Sequence, residues 1–212
     1  MNIVKDFSEL NFVEKIQENL KKIGFVKPTE IQSQMLPYAL SNDEDIFGQA
    51  PTGTGKTACF ALPIVESIFK QKADHVQAIV IVPTRELAIQ IARDFKLFSQ
   101  GMNLKVATLY GGQNILLQMG DLRQKANIVV GTPGRILDHI KRKTLVLSKS
   151  QFLVLDEADE MLNVGFVEDI ENIMNALPQE KRTFMFSATN PPSIKNLIKR
   201  HGDQKINFFF FY

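Results

Sequence analysis

Ala50-Pro51-Thr52-Gly53-Thr54-Gly55-Lys56-Thr57 is the stretch on which the rest of the chain turns. It follows the short run Asp45-Ile46-Phe47 and opens a helical pattern over 56–70. Gly53 and Gly55 allow a tight turn that brings backbone N–H groups against phosphate oxygens. A helix N-terminus adds partial positive charge at the same place. Lys56 has the reach for β- and γ-phosphates, and the Thr57 hydroxyl can sit on Mg²⁺. The strict pattern carries Gly at the first position, where this chain has Ala50. A Gly-rich turn that merely happens to precede a helix is the alternative. It accounts poorly for a preceding strand and a terminal Gly-Lys-Thr together.

Around this loop, short β-branched runs alternate with helical patterns. Strands are expected at 78–82, 104–109, 128–130, 152–155 and 183–186. They are apolar throughout rather than alternating, which suits strands covered on both faces. Helices are expected at 56–70, 85–98, 113–124, 134–141, 167–177 and 193–201. Strand–helix alternation predicts an α/β fold with a mostly parallel central sheet, helices on both faces and right-handed crossovers. Two further helices are expected before the first strand. One spans 7–23, with Leu10, Val13, Ile16, Leu20 and Ile23 at spacings of three and four. The other spans 31–40, with Thr29 as its N-cap. There is no internal repeat, low-complexity segment or Gly/Ser linker, so residues 1–207 are read as one domain, 1–40 being its N-terminal helices.

The composition sets bounds. The chain has 212 residues, 44% of them hydrophobic and 23% charged. This excludes a disordered chain, a collagen-like fibre and a disulfide scaffold. A single cysteine, Cys59, cannot form an intramolecular disulfide and points to a reducing, cytoplasmic compartment. In a helix after the loop it reads as a small buried hydrophobe. The net charge of +2 does not by itself argue for a nucleic-acid partner. No signal peptide is expected, and no run approaches the ~18 apolar residues of a membrane span.

A second chemical motif lies at Phe152-Leu153-Val154-Leu155-Asp156-Glu157-Ala158-Asp159, an apolar strand ending in three carboxylates. Ligands of parallel sheets bind at the carboxyl ends of strands, so these acids and the glycine loop should share one crevice. Asp156 is then placed to hold Mg²⁺. Glu157 can orient and deprotonate an attacking water. Taken alone, the same acids would fit a helix N-terminus.

Asp156-Glu157-Ala158-Asp159 also spells the name of the DEAD-box RNA helicases, and the chain resembles that family from about residue 7 to 202. Ala is usual at the first position of that family's phosphate loop. Phe7 with Gly24-Phe25-Val26-Lys27-Pro28-Thr29-Glu30-Ile31-Gln32 resembles its adenine-reading segment. Pro83-Thr84-Arg85, Gly111-Gly112 and Thr132-Pro133-Gly134-Arg135 resemble its RNA-contacting segments, and Ser187-Ala188-Thr189 the one linking hydrolysis to strand separation.

The resemblance implies a RecA-like domain that uses ATP and Mg²⁺. Nucleotide would be held by Phe25, Thr29, Gln32 and Ala50 to Thr57, and metal by Thr57 and Asp156. The chemistry would fall to Lys56, Asp156, Glu157, Ser187 and Thr189. A Gln32 amide matches the adenine edge, where N6–H₂ donates and N7 accepts. As isolated residues, Gln32 fits a solvated helix face, Phe25 a core position and Phe7 a helix staple.

Hydroxyl, glycine and guanidinium groups at loop-to-helix junctions suit phosphates, which carry no sequence information. Singly, each could equally be an N-cap or a solvated charge. Gly165-Phe166 is a further RNA candidate at a helix start. The hydroxyls of Ser187 and Thr189 can bond Asp159. Family members carry a second RecA-like domain with arginines for the γ-phosphate. This chain is therefore read as an excised fragment or a truncated product lacking it, nearly inactive by itself.

The remaining features carry less chemistry. His75, His139 and His201 do not cluster, which disfavours zinc. Lys141-Arg142-Lys143 reads as a solvated helix end. The end of the chain, Phe208-Phe209-Phe210-Phe211-Tyr212, is read as a partly packed strand whose final residues contact a second chain, the alternatives being a last core strand or a tail with no role in the chemistry.

Overall fold

The apolar runs form the strands of one parallel sheet. The computed structural model describes residues 3–201 and 205–211. The strands are β1 (Asp45–Gln49), β2 (Ala78–Ile81), β3 (Val106–Leu109), β4 (Ile128–Gly131), β5 (Phe152–Leu155), β6 (Arg182–Ser187) and β7 (Ile206–Phe210). Their order across the sheet is β3-β4-β2-β5-β6-β1-β7, and every neighbouring pair is parallel. The sheet is thus wholly rather than mostly parallel among the described residues.

Alternating side chains feed two cores. Ile46, Val80, Val130, Val154, Phe184 and Phe186 point to one face. There they meet α1 (Glu14–Lys22), α2 (Glu30–Ser41), α3 (Lys56–Gln71) and α4 (Arg85–Phe98). Phe47, Ile81, Val129, Leu155 and Met185 point to the other. That face is covered by α5 (Ile115–Arg123), α6 (Pro133–Lys141), α7 (Ala158–Val164), α8 (Val167–Asn175) and α9 (Pro192–His201). Because both faces are dry, strands must be apolar at consecutive positions, as the sequence has them.

Two elements differ from expectation, while the chain end takes a form expected of it. The helix expected over 7–23 is instead a 3-10 turn at Phe7–Glu9, an extended stretch, and then α1. Tertiary bonds replace the helical ones. Val13 N–H donates to Glu66 at 2.9 Å. The Gln17 amide donates to the carbonyls of Phe7 at 3.0 Å and Leu10 at 2.8 Å. The helix α7 is additional, since the run of acids hid its short pattern. The aromatic end continues Ile206 as edge strand β7 on β1. There Phe209 is buried, its ring 5.5 Å from that of Tyr38. Phe208 and Phe210 stack at 6.2 Å on the other face and stay exposed. Tyr212 and the His201 side chain lie outside the described residues.

Candidate nucleotide and nucleic-acid site

Register brings the carboxyl ends of the strands to one edge. Gln49 of β1 pairs with Ser187 of β6, and Leu155 of β5 pairs with Ile81 of β2. The adjacent strands β5, β6 and β1 therefore deliver the acids, the Ser187–Thr189 turn and the glycine loop side by side. Strands β3, β4 and β2 deliver Gly111-Gly112, Thr132–Arg135 and Thr84-Arg85 to the neighbouring part of that edge.

The glycine loop has the backbone its sequence demands. Gly53 and Gly55 take φ of 80° and 89°, in the left-handed region. Gly55 is the N-cap of α3, with no side-chain bond to the helix. The first N–H groups of α3 are thus left for a ligand. Lys56, almost fully buried, donates Nζ to the Ala50 carbonyl at 3.0 Å, across the loop. Ala50 is itself wholly buried.

The loop is held from outside by Thr29 and Gln32. Thr29 caps α2 as part of a capping box with Gln32. Its hydroxyl donates to the Thr54 carbonyl at 2.9 Å. The Gln32 amide accepts from Thr29 N–H at 2.9 Å and donates to the Gly55 carbonyl at 3.0 Å. One N–H and one lone pair of this amide remain, the two functions an adenine edge needs.

A cavity of about 490 Å³ joins these parts. Its lining includes Phe25, Gln32, Thr52, Gly53, Gly55, Lys56, Thr57, Asp156 and Glu157. Phe25 is half-buried and tilts against Phe7 at 5.5 Å and Phe98 at 5.7 Å. Phe7 lies beneath it as a fully covered buttress. Sequence reasoning missed the far wall, made by Leu87, Gln90, Asp94 and Leu97 of α4. Their spacing of three and four puts them on one helix face, and a carboxylate among leucines was the available signal. Burial raises the Asp94 carboxyl above its ordinary range.

The acids are differentiated. Asp156 is buried, and desolvation pushes its carboxyl up to about 6 against the pull of Lys56. Its Oδ1 accepts from Glu157 N–H at 2.9 Å. Glu157 takes a left-handed backbone, φ 53°, between β5 and α7. For a non-glycine residue this costs energy, and such residues cluster at working sites. Burial would raise Asp159 too, but bonds from the Thr189 hydroxyl at 2.7 Å and the Thr189 N–H at 2.9 Å hold it below the usual range; the Ser187 hydroxyl, expected on the same carboxylate, has its single proton directed elsewhere. The Ser187 hydroxyl donates to the Thr189 carbonyl. Cys59 is wholly buried and burial pushes its thiol up, so it is not a nucleophile.

On the second half of the edge, Thr84 caps α4, accepting from Leu87 N–H at 3.2 Å. Arg85 lies 4.9 Å over the Tyr110 ring. Thr132 is the N-cap of α6, yet its hydroxyl makes no capping bond, and Pro133 follows at the first turn. Gly112 has φ 84° and Gly134 is exposed. Gly165 directly precedes Phe166, the N-cap of α8, so the expected helix start is present. Gly165 is the left-handed C-cap of α7, and the next helix opens with Glu168 and Asp169, whose charge repels a phosphate. His139 is buried far from any metal geometry, bonded to Thr144 and Gln118. Lys141, Arg142 and Lys143 are exposed at the end of α6.

Among the described residues no helix is long and apolar enough to cross a membrane. Among the described residues, no group of three or more His, Cys, Asp or Glu is placed to hold a metal by itself.

A family model described as DEAD/DEAH box helicase matches residues 29–197. A probable ATP-dependent RNA helicase of Methanocaldococcus jannaschii is 48% identical over 93% of this chain and 53% of its own length. The DEAD-box ATP-dependent RNA helicase CshA of Bacillus subtilis is 47% identical over 92% of this chain and 39% of its own. The chain thus spans about half, or less, of these relatives. The crystal structure of a DEAD box protein from Methanococcus jannaschii superposes with a TM-score of 0.92 at 46% identity, over 98% of this chain and 56% of that one. That of a hypothetical ATP-dependent RNA helicase from Sulfolobus tokodaii does so at 0.86 and 34%, over 94% and 57%.

Proposed function

The chain belongs to the DEAD/DEAH box helicase family, and from that premise we propose that it is the ATP- and RNA-binding half of an ATP-dependent RNA helicase. One observation carries the proposal: a single cavity joins the glycine loop, the Gln32 amide, Asp156 and Glu157, beside a second row of strand ends that carries Thr84, Gly112 and Thr132.

The α3 N-terminus and the glycine-loop N–H groups hold the nucleotide phosphates. Lys56 has three ammonium hydrogens and uses one on Ala50, so two remain for the β- and γ-phosphates. Gln32 reads adenine while Phe25 supplies an apolar wall. Thr57 and Asp156 would hold Mg²⁺. Two oxygen donors bordering one cavity fit a hard cation that takes its other ligands from phosphates and water. When bound, the ion neutralises charge developing on the γ-phosphoryl group. Glu157 takes the proton of the water that attacks γ-phosphorus. The bond to the bridging oxygen breaks, and ADP and phosphate leave.

Asp159, bonded to Thr189, ties the turn after β6 to the acids, and so to the state of the phosphates. Pro83, Thr84, Arg85, Gly111, Gly112, Thr132, Pro133, Gly134 and Arg135 form the RNA face. Its contacts go to backbone phosphates, with little sequence preference. The proposal includes a second RecA-like domain that supplies arginines to the γ-phosphate. It also includes a cytoplasmic location, in keeping with the lone thiol, and self-association through the exposed rings of β7.

The test is ATPase activity with and without single-stranded RNA, for this chain alone and with a second RecA-like domain supplied. ADP binding with very slow turnover is expected from the chain alone, since an arginine on the γ-phosphate is worth ~10³–10⁵ in rate. With both domains, Glu157→Gln should keep ATP and RNA binding and lose turnover, while Lys56→Ala should lose nucleotide binding. Brisk RNA-stimulated turnover by the chain alone, or equal loss of ATP affinity in both variants, would reject the assignment.

A further inference from the structure

The first turn of the helix α5 inverts the usual pattern. It exposes Leu116 at 67% and Leu117 at 62%, and buries Gln118 completely. A leucine would fill that interior position without needing partners, whereas a buried amide is costly if any bond is unmade.

Every hydrogen-bonding function of the Gln118 amide is used. Its Nε2 donates to the Tyr110 carbonyl at 3.0 Å and to Gln113 Oε1 at 2.7 Å. Its Oε1 faces Arg135 Nη1 at 3.1 Å and His139 Nε2 at 3.1 Å. That is two donors and two lone pairs, the whole capacity of an amide. The surroundings also fix which way the amide points. Flipping it would set NH₂ against a guanidinium and oxygen against a carbonyl.

The partners belong to the row of segments that faces RNA in the proposed function. Tyr110 precedes Gly111-Gly112, and its ring carries Arg85. Arg135 ends the Thr132–Arg135 segment. Its Nη1 bonds Gln118 and the Gln113 carbonyl, the latter at 3.0 Å. Its Nε and Nη2 have no protein partner among the described residues, and the side chain is half exposed. These two groups form one side of the guanidinium fork, the side suited to a bidentate phosphate contact. One edge of Arg135 is therefore clamped while the other is offered outward.

We infer that Gln118 is the positioning residue that presents Arg135 to the RNA backbone. It is not itself a contact. A free arginine would sample many rotamers and lose that freedom on binding, so a clamped one binds phosphate at lower cost. The inference rests on the RNA role proposed for Arg135, and the experiment separates the two.

Binding of a short fluorescein-labelled oligouridine is followed by anisotropy over a series of KCl concentrations. The full 212-residue chain is compared with Arg135→Ala, Gln118→Leu, Gln118→Met and the Gln118→Leu/Arg135→Ala double variant. Melting curves and ADP binding serve as controls. Arg135→Ala should weaken RNA binding about tenfold, the loss of a charge-assisted bond. It should also reduce the salt slope by about 0.7, one phosphate on a single strand. Gln118→Leu and Gln118→Met should reproduce both changes with ADP binding intact. The double variant should bind no more weakly than Arg135→Ala alone. If Arg135→Ala has no effect, the RNA role of Arg135 fails and the inference with it. If Arg135→Ala weakens binding but the Gln118 variants keep the parental affinity and slope, or the two losses add, only the inference fails. Failure of both Gln118 variants to fold would also overturn it, because Gln118 would then serve stability rather than presentation.

Discussion

The Gln32 side-chain nitrogen lies 3.0 Å from the Gly55 carbonyl, and a methyl group placed on Gly55 would sit 2.5 Å from that same nitrogen. The segment proposed to read the base and the loop proposed to hold the phosphates are thus in direct contact, with no room for a side chain between them.

Gly55→Ala should therefore damage both functions at once. Its φ of 89° already strains any residue with a Cβ, at a cost on the order of 1–3 kcal/mol. The methyl would also push Gln32 away. Calorimetry should show ADP binding weakened tenfold or more, with a lower melting temperature. Gln32→Ala should instead lower the preference for ATP over GTP, with the loop geometry largely kept.

Asp156→Asn should stabilise the protein in the absence of nucleotide and metal. Burial raises the folded carboxyl from 3.8 to about 6, so its charge at neutral pH is a burden on the fold. A tenfold change in proton affinity is worth about 1.4 kcal/mol, so the gain has a ceiling of ~3 kcal/mol. Urea denaturation at neutral pH checks it. The same substitution should remove Mg²⁺-dependent turnover, a trade of stability for chemistry.

His139 predicts an acid-side loss of stability. Burial, Arg135 and Arg142 lower its pKa below 6.5, against the opposing pull of Asp138. In the window between the folded value and 6.5 the unfolded chain takes up the proton first. This contribution is therefore intact above pH 6.5 and is lost as pH falls through the folded value. Melting curves at pH values on both sides of 6.5 should show His139→Gln losing less stability than the parent on acidification.

Phe209 and its neighbours should behave oppositely. Phe209 is buried against Tyr38, and β7 is further tied by Asn207 Nδ2 to the Tyr38 hydroxyl at 2.6 Å and by Phe211 N–H to the Gln49 carbonyl at 2.8 Å. Phe209→Ala should cost about 3 kcal/mol in denaturant titrations. Phe208→Ser with Phe210→Ser should cost little and reduce any self-association seen by sedimentation.

What was legible in the sequence depended on how local the signal was. The parallel sheet followed from runs such as Ala78–Ile81 and Phe152–Leu155, apolar at consecutive positions. The glycine loop and the Asp156-Glu157 pair were legible because their chemistry is contiguous in the chain. The break at Leu10–Val13 was not, because the bonds that replace the helix come from Glu66 and Gln17. Gln118 read as an ordinary helix residue, since its partners arrive from three other segments. The α4 wall of the cavity needed the sheet to carry that helix over the glycine loop.

α4 has a consequence for how the two halves of the site communicate. Its N-cap and first turn carry Thr84 and Arg85 toward the face proposed for RNA, and its flank at Leu87, Gln90, Asp94 and Leu97 borders the cavity proposed for nucleotide. No proline or glycine interrupts it, so it has no hinge. Thr84 and Asp94 are about 15 Å apart along a stiff rod. A tilt imposed at one end must be expressed at the other, and the flank is held against α3 by buried Phe60 and Phe95, whose rings are 6.1 Å apart. If RNA binds as proposed, any free energy it spent on moving α4 would be subtracted from, or added to, the affinity for nucleotide. By linkage the effect is equal in the reverse direction.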